Sequence, residues 1–156
     1  MGTNKEVILI SLLGLVLVLG ATWIHYQSLR LINTYLPRLK VVPGRTRVMI
    51  AVVGALVSHL VHMVLFAVAY YTMDRYSAGA IDATTGGRTF IEFMYFSAET
   101  YTSLGLGDIF PLGMMRLIVG IESITGLVLI GWTASFTYLE MRRYWETGVE
   151  PPGRRE

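Results

Sequence analysis

The chain has 156 residues, enough for one domain, and 53% of them are hydrophobic. With a mean hydropathy of +0.53, this composition excludes an ordinary water-soluble fold and predicts a membrane protein. The net charge of +2, from 13 basic and 11 acidic residues, is too small and too dispersed to indicate a nucleic-acid partner. Because there is no cysteine, disulfides, thiol catalysis and cysteine-type metal sites are excluded.

Three segments are long and apolar enough to cross a bilayer, which takes about 20 residues per helix. Residues 7–24 and 48–72 carry no charge, and the only charges within residues 113–139 are Arg116 and Glu122. The first segment is longer than the apolar region of a signal peptide and lacks a good cleavage site, so we expect a retained helix. The chain is therefore predicted to be an all-α membrane protein with three transmembrane helices.

The connection between the first two spans is basic and contains no acid. Since Lys and Arg in short loops mark the cytoplasmic side, we expect this loop and the C-terminal tail inside the cell and the N-terminus outside. Apolar residues recur at helical spacing from 29 to 39, which predicts a short interfacial helix interrupted near Pro37 and ended by Pro43 and Gly44. The alternative is a basic linker that only sets topology. The cationic residues that we expect to meet anionic lipid are Arg30, Arg38, Lys40, Arg45 and Arg47.

A short helix is predicted between the second and third spans. Thr89 and Glu92 have the spacing of a capping box, and an apolar helix over residues 90–101 follows. This helix is too short to cross, so we expect it to enter the membrane and end near the middle. The partial negative charge at its C-terminal end favours a cation there.

The run at residues 99–109, Glu-Thr-Tyr-Thr-Ser-Leu-Gly-Leu-Gly-Asp-Ile, is the most specific pattern in the chain. Gly105 and Gly107 weaken a helix and free the backbone to adopt a positive φ. Non-helical backbone at membrane depth persists only where it is buried in protein or lines a watery cavity. Four copies with inward-facing carbonyls would make a pore that replaces an ion's hydration shell.

Residues 100–108 resemble the potassium-channel signature, Thr-x-Thr-Thr-Val-Gly-Tyr-Gly-Asp, and the similarity to that family runs on through Pro111 and Arg116 to Gly126. It covers roughly residues 48–142. The resemblance implies a homotetramer in which a re-entrant pore helix and a selectivity-filter loop lie between the second and third transmembrane helices. The first span and the basic loop lie outside the resemblance. We therefore expect an N-terminal transmembrane helix, a basic cytoplasmic loop or interfacial helix, a pore domain and a short cytoplasmic tail, at residues 1–25, 26–47, 48–141 and 142–156.

By position, the resemblance assigns the filter to Thr102, Ser103, Leu104, Gly105, Leu106 and Gly107. It implies that the carbonyls of Ser103, Leu104, Gly105 and Leu106 coordinate K⁺, together with the Ser103 hydroxyl. Two positions depart from the family's pattern. Ser103 replaces a Thr, and Leu106 replaces an aromatic residue that hydrogen-bonds to the pore-helix belt. Gly-Leu-Gly filters also occur in one pore repeat of some two-pore-domain channels.

Three residues match positions that the family uses to brace the filter from behind: Tyr95, Glu99 and Asp108. Two carboxyls at close range do not both ionise cheaply, so one is expected to have a raised pKa and to share a proton. We predict a hydrogen-bonded pair of Glu99 and Asp108, with Tyr95 as a third partner. The alternative is a pair of carboxyls separated by water.

Ionisable residues also occur inside the predicted spans. Glu122 lies at the depth of His62, so we consider a pH-sensitive latch between them, a hydrogen bond from Glu122 to the end of the pore helix, and a buried acid that fixes helix packing. His59 lies three residues before His62 and shares roughly its face. Two histidines without a cysteine do not predict a zinc site.

The third span is expected to line a cavity with one stripe, formed by Leu127, Ile130 or Gly131, Ala134 and Tyr138. Tyr138 near the cytoplasmic end would narrow the entrance, and a hydrophobic constriction gates by dewetting. Ordinary helix packing produces the same spacing. Gly126 and Gly131 either act as a hinge or only allow close packing.

Together these features predict a passive, potassium-selective channel in the cell membrane, with K⁺ as the permeant ligand, no other cofactor and no enzymatic activity. A weakly selective Na⁺/K⁺ channel and a non-conducting channel-like subunit are the alternatives. An intramembrane enzyme is disfavoured because the sequence shows no nucleophile and no complete metal set.

Overall fold

Three long helices dominate the structure, a computed structural model that describes residues 4–39, 41–76, 78–83 and 88–145. Each is long and apolar enough to cross a bilayer, so the prediction of an all-α membrane protein with three spans is confirmed in this coarse form. The elements in chain order are α1 (Asn4–Tyr35), a 3₁₀ turn (Leu36–Arg38), α2 (Gly44–Arg75), β1 (Gly79–Ala83), α3 (Phe90–Tyr101), β2 (Ile109–Gly113) and α4 (Met115–Trp145).

The first helix is longer than its apolar segment. No proline or glycine occurs between Gly20 and Tyr35, and α1 therefore continues through the polar residues that follow the span. The predicted separate interfacial helix is wrong, because residues 29–35 form the last turns of α1 and Pro37 lies in the 3₁₀ turn. Pro43 and Gly44 do not end a helix; they begin α2, where proline's fixed φ suits a helix start.

The basic residues around this connection lie at the same end of the molecule as the C-terminal end of α4. The Arg143 guanidinium donates a hydrogen bond to Asn33 Oδ1 at 3.2 Å, which joins the end of α4 to the end of α1. Arg47 Nε donates to the Val42 carbonyl at 2.9 Å, and the Arg38 guanidinium lies over the Tyr35 ring. Lys40 lies outside the described residues, as does the tail beyond residue 145.

The short helix α3 lies along the C-terminal half of α2. Phe90 at its start contacts Tyr71, with ring centroids 6.0 Å apart, and Tyr101 at its end contacts His59, with ring centroids 5.7 Å apart. His59 is the midpoint of the 32-residue α2, so α3 ends halfway along its longer neighbour. The predicted bounds and capping box are confirmed, since the Thr89 N–H donates to Glu92 Oε2 at 2.8 Å.

The hydrophobic core lies where α2, α3 and α4 meet. Phe66 and Tyr70 of α2, Phe93 of α3 and Ile118 of α4 are fully buried there. The first helix packs against both α2 and α4. Gly14 permits that packing, because a Cβ there would lie 2.5 Å from Ile121 Cδ1.

A two-stranded antiparallel ribbon, which the sequence did not predict, joins the ends of the connections that flank α3. In it Ile81 of β1 pairs with Pro111 of β2. Proline is tolerated because β2 has a partner on one side only. Five-residue strands carry too short an alternation to be recognised in sequence, whereas the burial of Ile81 against the core stabilises the ribbon.

Candidate functional site

The segment between α3 and β2, residues 102–108, has an alternating backbone and is called here the glycine segment. Every second residue has a positive φ: Ser103 at 57°, Gly105 at 55° and Gly107 at 80°. The predicted positive φ at both glycines is confirmed; the positive φ at Ser103 was not predicted and is uncommon outside glycine. Alternation of this kind turns successive peptide groups toward the same side of the chain.

Glu99 holds the amide side of the glycine segment. Its backbone carbonyl accepts hydrogen bonds from the N–H groups of Leu104 at 2.8 Å and Gly105 at 3.4 Å, and its carboxylate accepts one from the Leu106 N–H at 3.1 Å. Among the described residues, no backbone N–H donates to a carbonyl of residues 103–107. The segment is therefore tied through its amides and keeps its carbonyls available.

The three predicted bracing residues lie together behind the segment. The Tyr95 hydroxyl donates to Asp108 Oδ2 at 3.1 Å, and Glu99 is buried with its carboxylate on the Leu106 amide. Burial raises the pKa of Glu99, and the nearby charge of Asp108 adds to that shift, while the Leu106 amide opposes it. Direct pairing of Glu99 with Asp108 stays a prediction.

The opposite side of the glycine segment is open. Leu104 is 63% exposed and Leu106 is 60% exposed. A Cβ at Gly105 or at Gly107 would meet no atom within 4 Å. Leu104 and Leu106 thus form an exposed apolar surface beside the segment. Such surfaces are typical of sites that contact another protein chain or a ligand.

The fourth helix crosses the end of α3 in direct contact. A Cβ at Gly126 would lie 2.0 Å from the Tyr101 carbonyl oxygen, and Ser123 Oγ donates to the Thr100 carbonyl at 3.2 Å. Of the two alternatives for Gly126, the structure supports close packing; its role as a hinge, like that of Gly131, stays a prediction. The residues of the predicted cavity stripe are all exposed: Leu127, Ile130, Gly131, Ala134 and Tyr138.

The predicted latch pair is not brought together. Tyr70 Oη and Ser97 Oγ both donate to the Glu122 carboxyl, the latter at 2.5 Å, and Glu122 is fully buried. His62 contacts the Tyr101 hydroxyl at 3.2 Å instead. The latch pairing is wrong because α3 supplies Ser97 to Glu122. The expected contact with α3 forms in its middle rather than at its end, and Glu122 thereby joins three helices.

Sequence reasoning also missed His25. This residue lies on α1, in the part of the helix beyond the predicted span, and its ring lies 5.3 Å from His59 and 5.4 Å from His62 between centroids. The signal available in the sequence was that the chain has three histidines, all within or next to apolar segments. Their rotational positions, which decide whether they meet, are set by helix packing.

The fold and the glycine segment define a multi-pass membrane protein with the layout of a channel subunit. Residues 58–141, more than half of the chain, match the family model described as ion channel. The chain belongs to this ion channel family, which is of the two-transmembrane potassium-channel type, and α1 is an additional N-terminal helix outside the matched region. Comparisons with curated proteins and with solved structures give no match.

Proposed function

We propose that the chain is one of four identical subunits of a passive, potassium-selective channel whose selectivity filter is the glycine segment. The observation that carries the proposal is the alternating φ at Ser103, Gly105 and Gly107 combined with amides tied to Glu99. This conformation leaves a row of carbonyls without backbone partners among the described residues. Rows of carbonyls that replace the hydration shell are how such filters select an ion.

One glycine segment does not enclose an ion, and the exposure of Leu104 and Leu106 supports assembly around an axis. In a four-fold ring, neighbouring subunits would cover the open side of the segment. The exposed stripe on α4, from Leu127 to Tyr138, would face the same axis below the filter. Ions would then pass from a cavity lined by α4 into stacked carbonyl sites.

The position of α3 supports its role as a re-entrant pore helix. It ends at the midpoint of α2, and the glycine segment follows immediately. The carbonyl end of a helix carries a partial negative charge, which stabilises a cation at half depth. Within the filter, K⁺ would be held by the carbonyls of Ser103, Leu104, Gly105 and Leu106 and by the Ser103 hydroxyl.

The orientation follows from the distribution of charge. Arg30, Arg38, Arg45 and Arg47 cluster at the end of the molecule where Arg143 meets Asn33. By the positive-inside rule this end faces the cytoplasm, beside anionic lipid, and the glycine segment opens toward the outside. We therefore place the protein in the cell membrane with an external N-terminus, acting by diffusion down the electrochemical gradient without catalysis.

The reversal potential of purified protein in planar bilayers, under opposed K⁺ and Na⁺ gradients, tests the proposal. We expect reversal close to the K⁺ equilibrium potential. Reversal near zero with a robust current would identify a weakly selective Na⁺/K⁺ pore, in which Leu106, lacking a hydrogen-bonding side chain, leaves the filter loose. A silent protein that is tetrameric would identify a non-conducting subunit.

A pair of glycine variants tests whether the glycine segment is the selectivity filter. Gly105→Ala puts a Cβ at a φ of 55°, which strains the filter conformation, and we expect it to lose K⁺ current or selectivity. Gly120→Ala is the matched control, because Gly120 lies within α4 and a Cβ there meets nothing within 4 Å. Equal currents from the two variants would contradict the assignment of the filter.

A further inference from the structure

All three histidines of the chain meet in one buried group, called here the histidine cluster: His25 of α1 with His59 and His62 of α2. One nitrogen from each ring lies within 4.8 Å of the others. His25 and His62 are fully buried and His59 is 7% exposed. Three imidazoles that converge from two helices form the kind of donor set that transition metals prefer.

Three hydroxyl groups contact the cluster: Ser58 Oγ lies 3.5 Å from His25 Nδ1, and those of Tyr101 and Thr133 each contact two rings. The Tyr101 hydroxyl lies 2.8 Å from His59 Nδ1 and 3.2 Å from His62 Nδ1, while Thr133 Oγ1 lies 2.9 Å from His59 Nε2 and 3.3 Å from His25 Nε2. The Tyr101 and Thr133 hydroxyls therefore each already bridge two rings. Oxygen donors at these positions are available to a metal as a further ligand, or to the imidazoles as partners that fix their tautomers.

One nitrogen of the cluster lacks a well-formed hydrogen bond. His62 Nε2 is buried, and the Ala21 carbonyl of α1 is close enough to be its acceptor, although the geometry of that contact is poor. A buried polar atom without a partner is costly, and natural structures with such an atom commonly hold a water or an ion there. This poorly satisfied nitrogen, in a fully buried ring, is an observation independent of the convergence of the three histidines.

We propose that the histidine cluster binds one divalent transition-metal ion per subunit, with Zn²⁺ as the best-matched ion. Tetrahedral Zn²⁺ with bonds of about 2.0 Å places its nitrogen ligands about 3.3 Å apart. The three nitrogens lie within 4.8 Å of one another, so side-chain rotations that bring them closer by at most about 1.5 Å would complete this geometry. The fourth position falls to a hydroxyl oxygen or a water. The sequence did not predict this site because His25 comes from the additional helix.

A metal in the histidine cluster would connect three helices. The cluster joins α1, which lies outside the matched channel region, to the middle of α2 and to Tyr101, the last residue of α3. The glycine segment begins at the next residue. A bound metal would therefore fix the additional helix to the base of that segment, and this inference stands whether or not the segment conducts K⁺.

Metal content of the tag-free full-length protein, purified in detergent from cells grown with added zinc, tests the proposal. Because the chain has no other histidine and no cysteine, we expect about one zinc ion per chain after extensive dialysis. Loading with Co²⁺ is expected to give the intense visible absorption of tetrahedral nitrogen and oxygen coordination. Wild-type protein without retained metal, or with only the weak absorption of octahedral Co²⁺, would overturn the proposal and leave a metal-free polar network.

Variants locate the metal without depending on conduction. His25→Gln is expected to weaken binding at least about tenfold, and Ser58→Ala, which removes a neighbour of His25 but no imidazole, is expected to retain it. Undiminished binding in His25→Gln would overturn the site. Should His25→Gln fail to fold, a lower unfolding temperature of the wild-type protein after chelation gives the same test, and an unchanged temperature together with unchanged metal content after chelation counts against it.

Discussion

The glycine segment and the histidine cluster both adjoin the end of α3, but their polar groups are satisfied in different ways. In the cluster, most ring nitrogens find hydroxyl partners within the same chain, in a buried environment. In the glycine segment only the amide side is satisfied, by Glu99, while Leu104 and Leu106 remain exposed. One chain therefore completes its packing around the cluster but leaves one side of the segment open, where neighbouring subunits would lie in the proposed tetramer.

The difference also separates two kinds of mutational effect. Changes at the contacts among α2, α3 and α4 are expected to lower the stability of the subunit. Changes in the glycine segment are expected to alter conduction with less effect on stability, because little of that surface is buried within one chain. Four predictions, from the largest expected effect to the smallest, and one companion variant test this separation.

Gly126→Ala is expected to have the largest effect on folding. The new Cβ would lie 2.0 Å from the Tyr101 carbonyl oxygen, which is backbone and does not swing aside, so α3 and α4 must separate. We expect a loss of about 1–3 kcal/mol, at the upper end of that range, measured by thermal or denaturant unfolding in detergent. Gly131→Ala on the same helix, where a Cβ meets nothing within 4 Å, is the control; similar losses in both variants would contradict the close-packing role.

Gly107→Ala is expected to abolish selective current while the subunit still folds. A φ of 80° costs a residue with a side chain about 1–3 kcal/mol, and relief of that strain rotates the peptide groups of the segment. K⁺ flux into liposomes and unfolding temperature, measured on the same preparation, separate the two outcomes. Normal K⁺ flux together with a lowered unfolding temperature would contradict the expectation that changes in the glycine segment alter conduction rather than stability.

Glu122→Ala is expected to cost about 1–3 kcal/mol, because it leaves the buried Tyr70 hydroxyl without its acceptor and leaves Ser97 only the Met63 carbonyl. Glu122→Gln keeps a carbonyl oxygen and is expected to lose less. Denaturant unfolding of the two variants gives the measurement. Equal losses would show that the carboxyl's charge or proton, rather than its acceptor oxygens, holds the three helices together.

Glu99→Gln is expected to have the smallest effect, seen as a change in pH dependence. Since the folded protein raises the pKa of Glu99, it binds that proton more tightly than the unfolded chain does. Stability is therefore highest below the ordinary pKa of Glu and falls as pH rises toward the raised value. Unfolding temperature against pH should show a shallower fall in Glu99→Gln, and parallel curves for the two proteins would contradict the shift.

Tyr95→Phe serves as the companion variant on the same brace. It removes the hydrogen bond to Asp108, which at an exposed position is worth about 0.5–1.5 kcal/mol at most. We expect little change in stability and a change in how long the current persists under sustained K⁺ flux. A large fall in unfolding temperature would instead place the brace in the folding core.

Local features of the sequence were sufficient to predict much of the secondary structure of this molecule. The three spans follow from long apolar runs, the start of α3 from Thr89 and Glu92, and the positive φ of the segment from Gly105 and Gly107. Each of these depends on residues within a few positions of one another. The match to the ion channel family over residues 58–141 agrees with the resemblance that the signature residues carried.

Contacts between helices required the tertiary structure. Helices that are apolar on all sides carry no periodicity that fixes their rotation, so the sequence left the partner of Glu122 open between His62 and the pore helix. The fold pairs Glu122 with Tyr70 and Ser97. Because helix rotation could not be predicted, the contact of Gly126 with Tyr101 and the contact of His25 with His59 were not predicted either. The sequence gives the chemical type of each residue. Which neighbouring helix that residue faces depends on the rotation and the axial offset of the packed helices, which only the tertiary structure fixes.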